Sequence, residues 1–201
     1  MPLLEIVKSA GLKQMDEGGE SLLDIVKRAG LKQMGEPVKL ACGAMSSDFI
    51  DMKQALCDWK RLEVACRAIV ERVHEAGIDF DAAGGMTMGA DPLAVGIASM
   101  SNCRWFSVRK APKNRGTNKL IEGTSLEQGV RVLLLDDITT TGSSALTALQ
   151  AVLETGAEVV AAATIVDRGS LARQAFDQQG VPYFPILTYA DLDIDPVIPP
   201  G

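Results

Sequence analysis

The sequence predicts an α/β fold, a mostly parallel central sheet with helices on both faces, and three observations predict it. Short continuous apolar runs at Val130–Leu135 and Val159–Val166 have the length and composition of strands covered on both sides. Segments of helical periodicity alternate with such runs, as Leu146, Leu149, Val152 and Leu153 do between these two. Hairpin signals are few, so the chain is expected to pass from strand to strand through helices.

Taken in order, the chain opens on a near-repeat. Leu3–Met15 recurs as Leu22–Met34, with only Glu5/Asp24 and Ser9/Arg28 differing. Each copy has apolar residues at helical spacing (Leu3, Ile6, Val7, Ala10; Leu22, Ile25, Val26, Ala29) and a glycine stop, Gly11 or Gly30. Two copies are too few for a solenoid. The reading is a duplicated helical segment over residues 1–21 and one domain over 22–201. Leu56, Trp59, Leu62, Ala65, Ile69 and Val73 then form a helical stripe ended by Gly77. Asp79–Ala83 predicts a strand leading to a glycine-rich turn, and Asp91 a cap for a helix whose first residue is Pro92. Trp105–Val108 predicts a strand. Ser144–Thr155 predicts a helix stopped by Gly156, and Tyr183–Leu187 a last strand.

Composition narrows the function. With 47% hydrophobic and 23% charged residues the chain is an ordinary globular protein rather than a disordered one. No apolar stretch approaches the roughly 18 residues that span a bilayer, and Glu5 and Lys8 interrupt the first apolar run, unlike a signal peptide. A net charge of −6 argues against a nucleic-acid binder but not against a small anionic substrate held by clustered cations. Cys42, Cys57, Cys66 and Cys103 lack CxxC spacing and suit reduced thiols in a cytoplasmic protein. His74, the one histidine, falls inside a predicted helix, which leaves little for a zinc site or a histidine-assisted nucleophile.

The most informative string is Val132–Ser144. A buried strand delivers Asp136 and Asp137 to its carboxyl end, where open α/β sheets bind ligands. A hydroxyl-rich loop, Thr139-Thr140-Thr141-Gly142-Ser143-Ser144, follows and a helix begins. Its N–H groups and hydroxyls can wrap a phosphate monoester. The two carboxylates suit either a ribose diol or hydrated magnesium beside a pyrophosphate; alone, they could equally cap a helix. A Walker loop is excluded because no Gly-Lys-Ser/Thr is present, and Gly84, Gly85 and Gly89 do not make a dinucleotide fingerprint. A second string, Trp105–Gly116, carries Arg109, Lys110, Lys113 and Arg115 on what reads as a cationic loop able to fold over a pyrophosphate or, alternatively, as a solvated charged loop.

Together these strings resemble the orotate phosphoribosyltransferases of the type I phosphoribosyltransferase family. The first resembles the family's site for phosphoribosyl pyrophosphate (PRPP); the second resembles its Arg-Lys-x-x-Lys-x-His-Gly loop, with Arg115 in place of histidine. Ile165-Val166-Asp167-Arg168-Gly169 resembles the segment whose arginine binds the orotate carboxylate, a task suited to a planar guanidinium. Leu40–Asp51 is similar to the stretch near the acceptor base, and Gly84–Leu93 to the loop that contacts pyrophosphate. The resemblance covers about residues 22 to 197.

It implies a magnesium-dependent enzyme that moves ribose 5-phosphate from PRPP to orotate. Lys113, Asp136 and Asp137 are the implied catalytic residues. PRPP is expected on Arg109, Lys110, Lys113, Arg115, Asp136, Asp137, Thr139, Thr140, Thr141, Gly142, Ser143 and Ser144. Orotate is expected on Thr140, Arg168 and Phe49, and Mg2+ on Asp136 and Asp137 indirectly, through PRPP or water. A homodimer that shares the cationic loop across its interface is implied too. Ala41 and Met88 stand where many members carry lysine. Those departures motivate two rivals: a phosphoribosyltransferase with another acceptor base, and a PRPP-binding regulator or paralogue without turnover.

Overall fold

The computed structural model describes residues 19–111 and 120–200. The first repeat copy and the expected loop residues Lys113 and Arg115 lie outside the described residues. In chain order the elements are α1 (Leu22–Ile25), which runs into a π-helical turn (Val26–Gly30), β1 (Leu31–Lys39), β2 (Met45–Ile50), α2 (Met52–Ala55), α3 (Trp59–Glu75), β3 (Ala82–Met86), α4 (Asp91–Ser101), β4 (Arg104–Val108), β5 (Ile121–Gly123), β6 (Arg131–Thr139), α5 (Ser143–Leu153), β7 (Glu158–Asp167), α6 (Leu171–Gln178) and β8 (Tyr183–Thr188).

Six strands form the central sheet in the order β5-β4-β3-β6-β7-β8. All neighbours pair in parallel except β5, which lies antiparallel on β4 at the edge. The predicted fold class is the observed one. Each strand divides its side chains between two cores, as the two-residue strand period requires. Leu133 and Leu135 face α1, α3 and α4 with Ile25, Ile69 and Leu93. Val132 and Leu134 face α5 and α6 with Leu149, Val152 and Phe176. Helix α3 starts at the Asp58 cap, whose carboxylate accepts from the Arg61 N–H at 3.1 Å, and buries Ala65, Ile69 and Val73. The expected stripe begins early: Leu56 ends the short α2 and is buried there.

The second repeat copy is helical through Gly30, as its glycine stop predicts, and its Leu31–Met34 begin β1. Its helix belongs to the core, with Leu22, Ile25 and Val26 fully buried and Ser21 and Asp24 in a reciprocal capping box. Other local expectations are corrected. β1 and β2 make an antiparallel hairpin whose register breaks between Gln33 and Val38. Sequence patterning missed it because most of β1 is exposed and shows no alternation. Asp91 is the first residue of α4, Pro92 the second and Ala90 the cap.

Gly84 and Gly85 were expected in a turn and instead lie inside β3. Crowding explains them. A Cβ at Gly84 would lie 2.2 Å from the Phe106 carbonyl oxygen, and one at Gly85 would lie 1.9 Å from that of Leu135. β3 thus runs between its neighbours where no side chain fits. Gly85→Ala should destabilise the protein by about 3 kcal/mol or more, the upper range for overpacking, read as a lower denaturation midpoint. A midpoint equal to that of the parent protein would show that β3 can move aside.

Candidate active site

The ends of β6 and β7 assemble the site. β6 runs four residues beyond the expected Leu135, so Asp136 and Asp137 belong to the paired strand itself. Asp136 is buried at 8% exposure and accepts a hydrogen bond from the Asp137 N–H at 3.0 Å. Asp136 lines a cleft of about 140 Å³ together with Ala41, Cys42 and the Thr139–Ser144 loop. Asp137 borders a different cleft, of about 390 Å³, beside Gly89, Pro92 and Trp59. A Cβ at Gly89 would sit 2.2 Å from an Asp137 carboxylate oxygen, so this loop must be bare to approach the acid.

Burial is the main cause that raises the Asp136 carboxyl above the ordinary range, and the Asp137 charge adds to it. Lys110 lies near enough to oppose that rise. α5 begins at Ser143, behind Gly142 in a left-handed conformation (φ 78°), and its start carries no side-chain cap. The Thr141 hydroxyl instead accepts from the Ser143 N–H at 3.3 Å and donates to the Ser143 hydroxyl at 3.2 Å. A glycine-led helix start lined by Thr140, Thr141, Ser143 and Ser144 suits an anion, because its N–H groups and dipole converge there.

Thr139 differs from the expectation for it. It is 2% exposed, and its hydroxyl lies 2.5 Å from that of Tyr183. Arg168 and Asp167 do not form the surface ion pair that their sequence also allowed, since both are buried. The Arg168 guanidinium donates to the Asp48 carbonyl at 2.9 Å and to the Ser46 hydroxyl at 3.2 Å, both on β2. Its Nε is buried and has no partner among the described residues. Phe49, on the same strand, is 38% exposed and so is not a core residue. Arg109 donates its N–H to the Leu120 carbonyl at 2.8 Å and lies 3.8 Å from Glu122, which closes the root of the cationic loop.

Sequence reasoning passed over Ser46 and Asp48 as partners of Arg168, and over Tyr183. Ser46 and Asp48 carried a signal, because they lie in the stretch already singled out between Leu40 and Asp51. A tyrosine opening an apolar strand carries none. Among the described residues no three His, Cys, Asp or Glu side chains cluster as metal ligands, and no helix is long and apolar enough to cross a membrane.

The phosphoribosyl transferase domain family matches residues 53–177. Orotate phosphoribosyltransferase of Pyrococcus furiosus is 37% identical over 153 residues, 76% of this chain and 84% of that one. That of Aquifex aeolicus is 39% identical over 163 residues, 78% and 87% of the two chains. Among solved structures, Mycobacterium tuberculosis orotate phosphoribosyltransferase in complex with 5-phospho-alpha-D-ribosyl 1-diphosphate (PRPP) superposes with a TM-score of 0.68 at 34% identity, covering 86% of this chain and 97% of that one.

The raised Asp136 carboxyl has a consequence for stability. A carboxyl raised by folding holds its proton more tightly in the native state than in the unfolded chain. Its contribution therefore favours folding at low pH and is lost as pH climbs from the ordinary carboxylate range through the native value. Asp136→Asn keeps the shape without the charge. Its melting temperature should match the parent at pH 4 and exceed it at pH 8, by ~2–4 °C for each kcal/mol recovered. Equal melting temperatures at both pH values would show that the buried charge is not destabilising.

Proposed function

This chain belongs to the orotate phosphoribosyltransferase family of phosphoribosyl transferase domain proteins, and we propose that it transfers ribose 5-phosphate from PRPP to orotate, giving orotidine 5'-monophosphate and pyrophosphate. One observation carries the reading: a buried carboxylate and an uncapped, hydroxyl-lined helix start share one cleft at the carboxyl ends of parallel strands. Residues 22–201 are read as the catalytic domain and residues 1–21 as its duplicated appendage.

In this reading the 5-phosphate sits on Thr141, Gly142, Ser143 and Ser144, where α5 begins. Asp136 and Asp137 take the ribose hydroxyls. Thr140 and Arg168 orient the base, and Phe49 offers a partly exposed ring to it. The reaction breaks the bond from the anomeric carbon to pyrophosphate oxygen and forms one to the base nitrogen. Positive charge grows on the ribose and negative charge on the departing pyrophosphate. Arg109, Lys110, Lys113 and Arg115 would answer the second charge, and closure of their loop would exclude water that competes for the ribosyl centre.

The donor set suits magnesium only indirectly. With no three-ligand cluster among the described residues, the ion would rest on PRPP oxygens while Asp136 and Asp137 reach it through water. Bound there it acts as a Lewis acid on the leaving group. A homodimer sharing the cationic loop is part of the same proposal. Exposed Met88, Val95, Met100 and Trp105, on or beside α4 and β4, offer an apolar surface for a second copy. Four unpaired cysteines suit the reducing cytoplasm.

A second acceptor base is the one rival with an observation behind it: Ala41, not a lysine, lines the cleft. Loss of orotate absorbance on mixing the protein with PRPP, magnesium and orotate decides between them. Turnover only with another base would establish the rival, and PRPP binding without any turnover would defeat both. Removing magnesium with a chelator should abolish turnover, and its return should restore it. Lys113→Ala should lower turnover by about 10² to 10³ while PRPP still binds; full turnover would remove Lys113 from the reaction. Arg168→Ala should raise the KM for orotate far more than that for PRPP, and equal effects would contradict its assignment to the base.

A further inference from the structure

Tyr183 lies at the start of β8, yet its hydroxyl reaches the far ends of β6 and β7. It lies 2.5 Å from the Thr139 hydroxyl and stands close enough to the Asp167 carboxylate to feel its charge. All three side chains are buried, at 4%, 2% and 3% exposure. The ring is fixed from both sides: Phe176 stacks on it with centroids 5.0 Å apart, and the Arg173 guanidinium lies 5.7 Å from its centroid. Burial, helped by Asp167, pushes the phenol well above its usual range, so it keeps its proton.

Thr139 and Asp167 are direct partners in the β6–β7 ladder. The residue after each one belongs to the site. Thr140 lines the cleft, and Arg168 reaches Ser46 and Asp48 on the hairpin. The Arg168 N–H donates to the Thr139 carbonyl at 2.8 Å, and the Asp167 carboxylate accepts from the Gly169 N–H at 3.0 Å, so the backbone ties the same two strand ends together. Gly169 has the Thr140 and Val197 carbonyl oxygens each 3.3 Å from where a Cβ would stand, so the turn carrying Arg168 has little room to shift.

We propose that Tyr183 is a positioning residue for the acceptor base: its hydroxyl holds Thr139 in place beside its ladder partner Asp167 and thereby sets the spacing between Thr140 and Arg168. It touches no substrate. The inference rests on the reading that Thr140 and Arg168 hold orotate. It removes the Thr139 side chain from PRPP binding, where the sequence had placed it.

The test uses the full chain with steady-state kinetics for both substrates and thermal melting as a control on folding. Tyr183→Phe keeps the stacked ring and removes only the hydroxyl that holds Thr139. The KM for orotate should rise about tenfold, the order expected for one lost buried hydrogen bond, while the KM for PRPP stays within about twofold. Thr139→Val, which is also close in shape, should act in the same direction and keeps the test available if the tyrosine variant folds poorly. The double variant should be no worse than the worse single one, because both break the same contact. An unchanged orotate KM in either folded variant, or equal rises for PRPP and orotate, would overturn the proposal. An unaffected orotate KM in Arg168→Ala would instead sink the assignment of the base site, and the two failures are told apart by that control.

Discussion

Parallel pairing of β6 with β7 up to their last residues is the constraint on which the site depends. Asp136 pairs with Thr164 and Thr139 with Asp167, so both strands end level. Everything assigned to donor or acceptor then leaves the sheet within a few residues of that line: the loop into α5 from one strand, and the turn with Arg168 from the other. The pinched path of β3, bare at Gly84 and Gly85, brings the Gly89 loop against Asp137 from the opposite side. Packing of the sheet and assembly of the site are therefore one problem. The two cores hold the strands at a fixed separation, and that separation places the polar groups.

The electrostatics at the end of β6 are unfavourable in themselves. Two consecutive carboxylates stand at a strand end, one of them almost out of water, and burial raises that one first of all. Such an arrangement makes sense where a cationic partner or a sugar hydroxyl completes it on binding. Arg168 is a parallel case, a buried guanidinium whose charge is opposed by desolvation and only partly answered by β2. Groups strained in this way hold their positions because the surrounding fold leaves them no alternative, and they gain most when a ligand arrives.

Much of this was legible in the sequence, for identifiable reasons. Val130–Leu135 and Val159–Val166 stood out because strands covered on both faces must be apolar throughout. The Asp136–Ser144 string stood out because acids, hydroxyls and a glycine seldom fall together between a strand and a helix by chance. The β1–β2 hairpin was not legible, since a mostly exposed strand has no burial pattern to show. Gly84 and Gly85 were misread because glycine signals a turn in one dimension, whereas here it marks the closeness of two neighbours. The direction of the Thr139 side chain depended on Tyr183, 44 residues further along the chain. No local pattern could supply it.

The grip of Arg168 on the hairpin has one further implication. Its two terminal nitrogens already have partners, Ser46 and the Asp48 carbonyl, which directly precede the exposed Phe49 ring on the same strand. An incoming carboxylate that recruits those nitrogens competes with the hairpin for the same donors. Acceptor capture and the seating of β2 are then linked equilibria: whatever tightens one loosens the other by an equal free energy. The affinity for the base would thus report how firmly a surface ribbon is held, as well as how well the pocket fits.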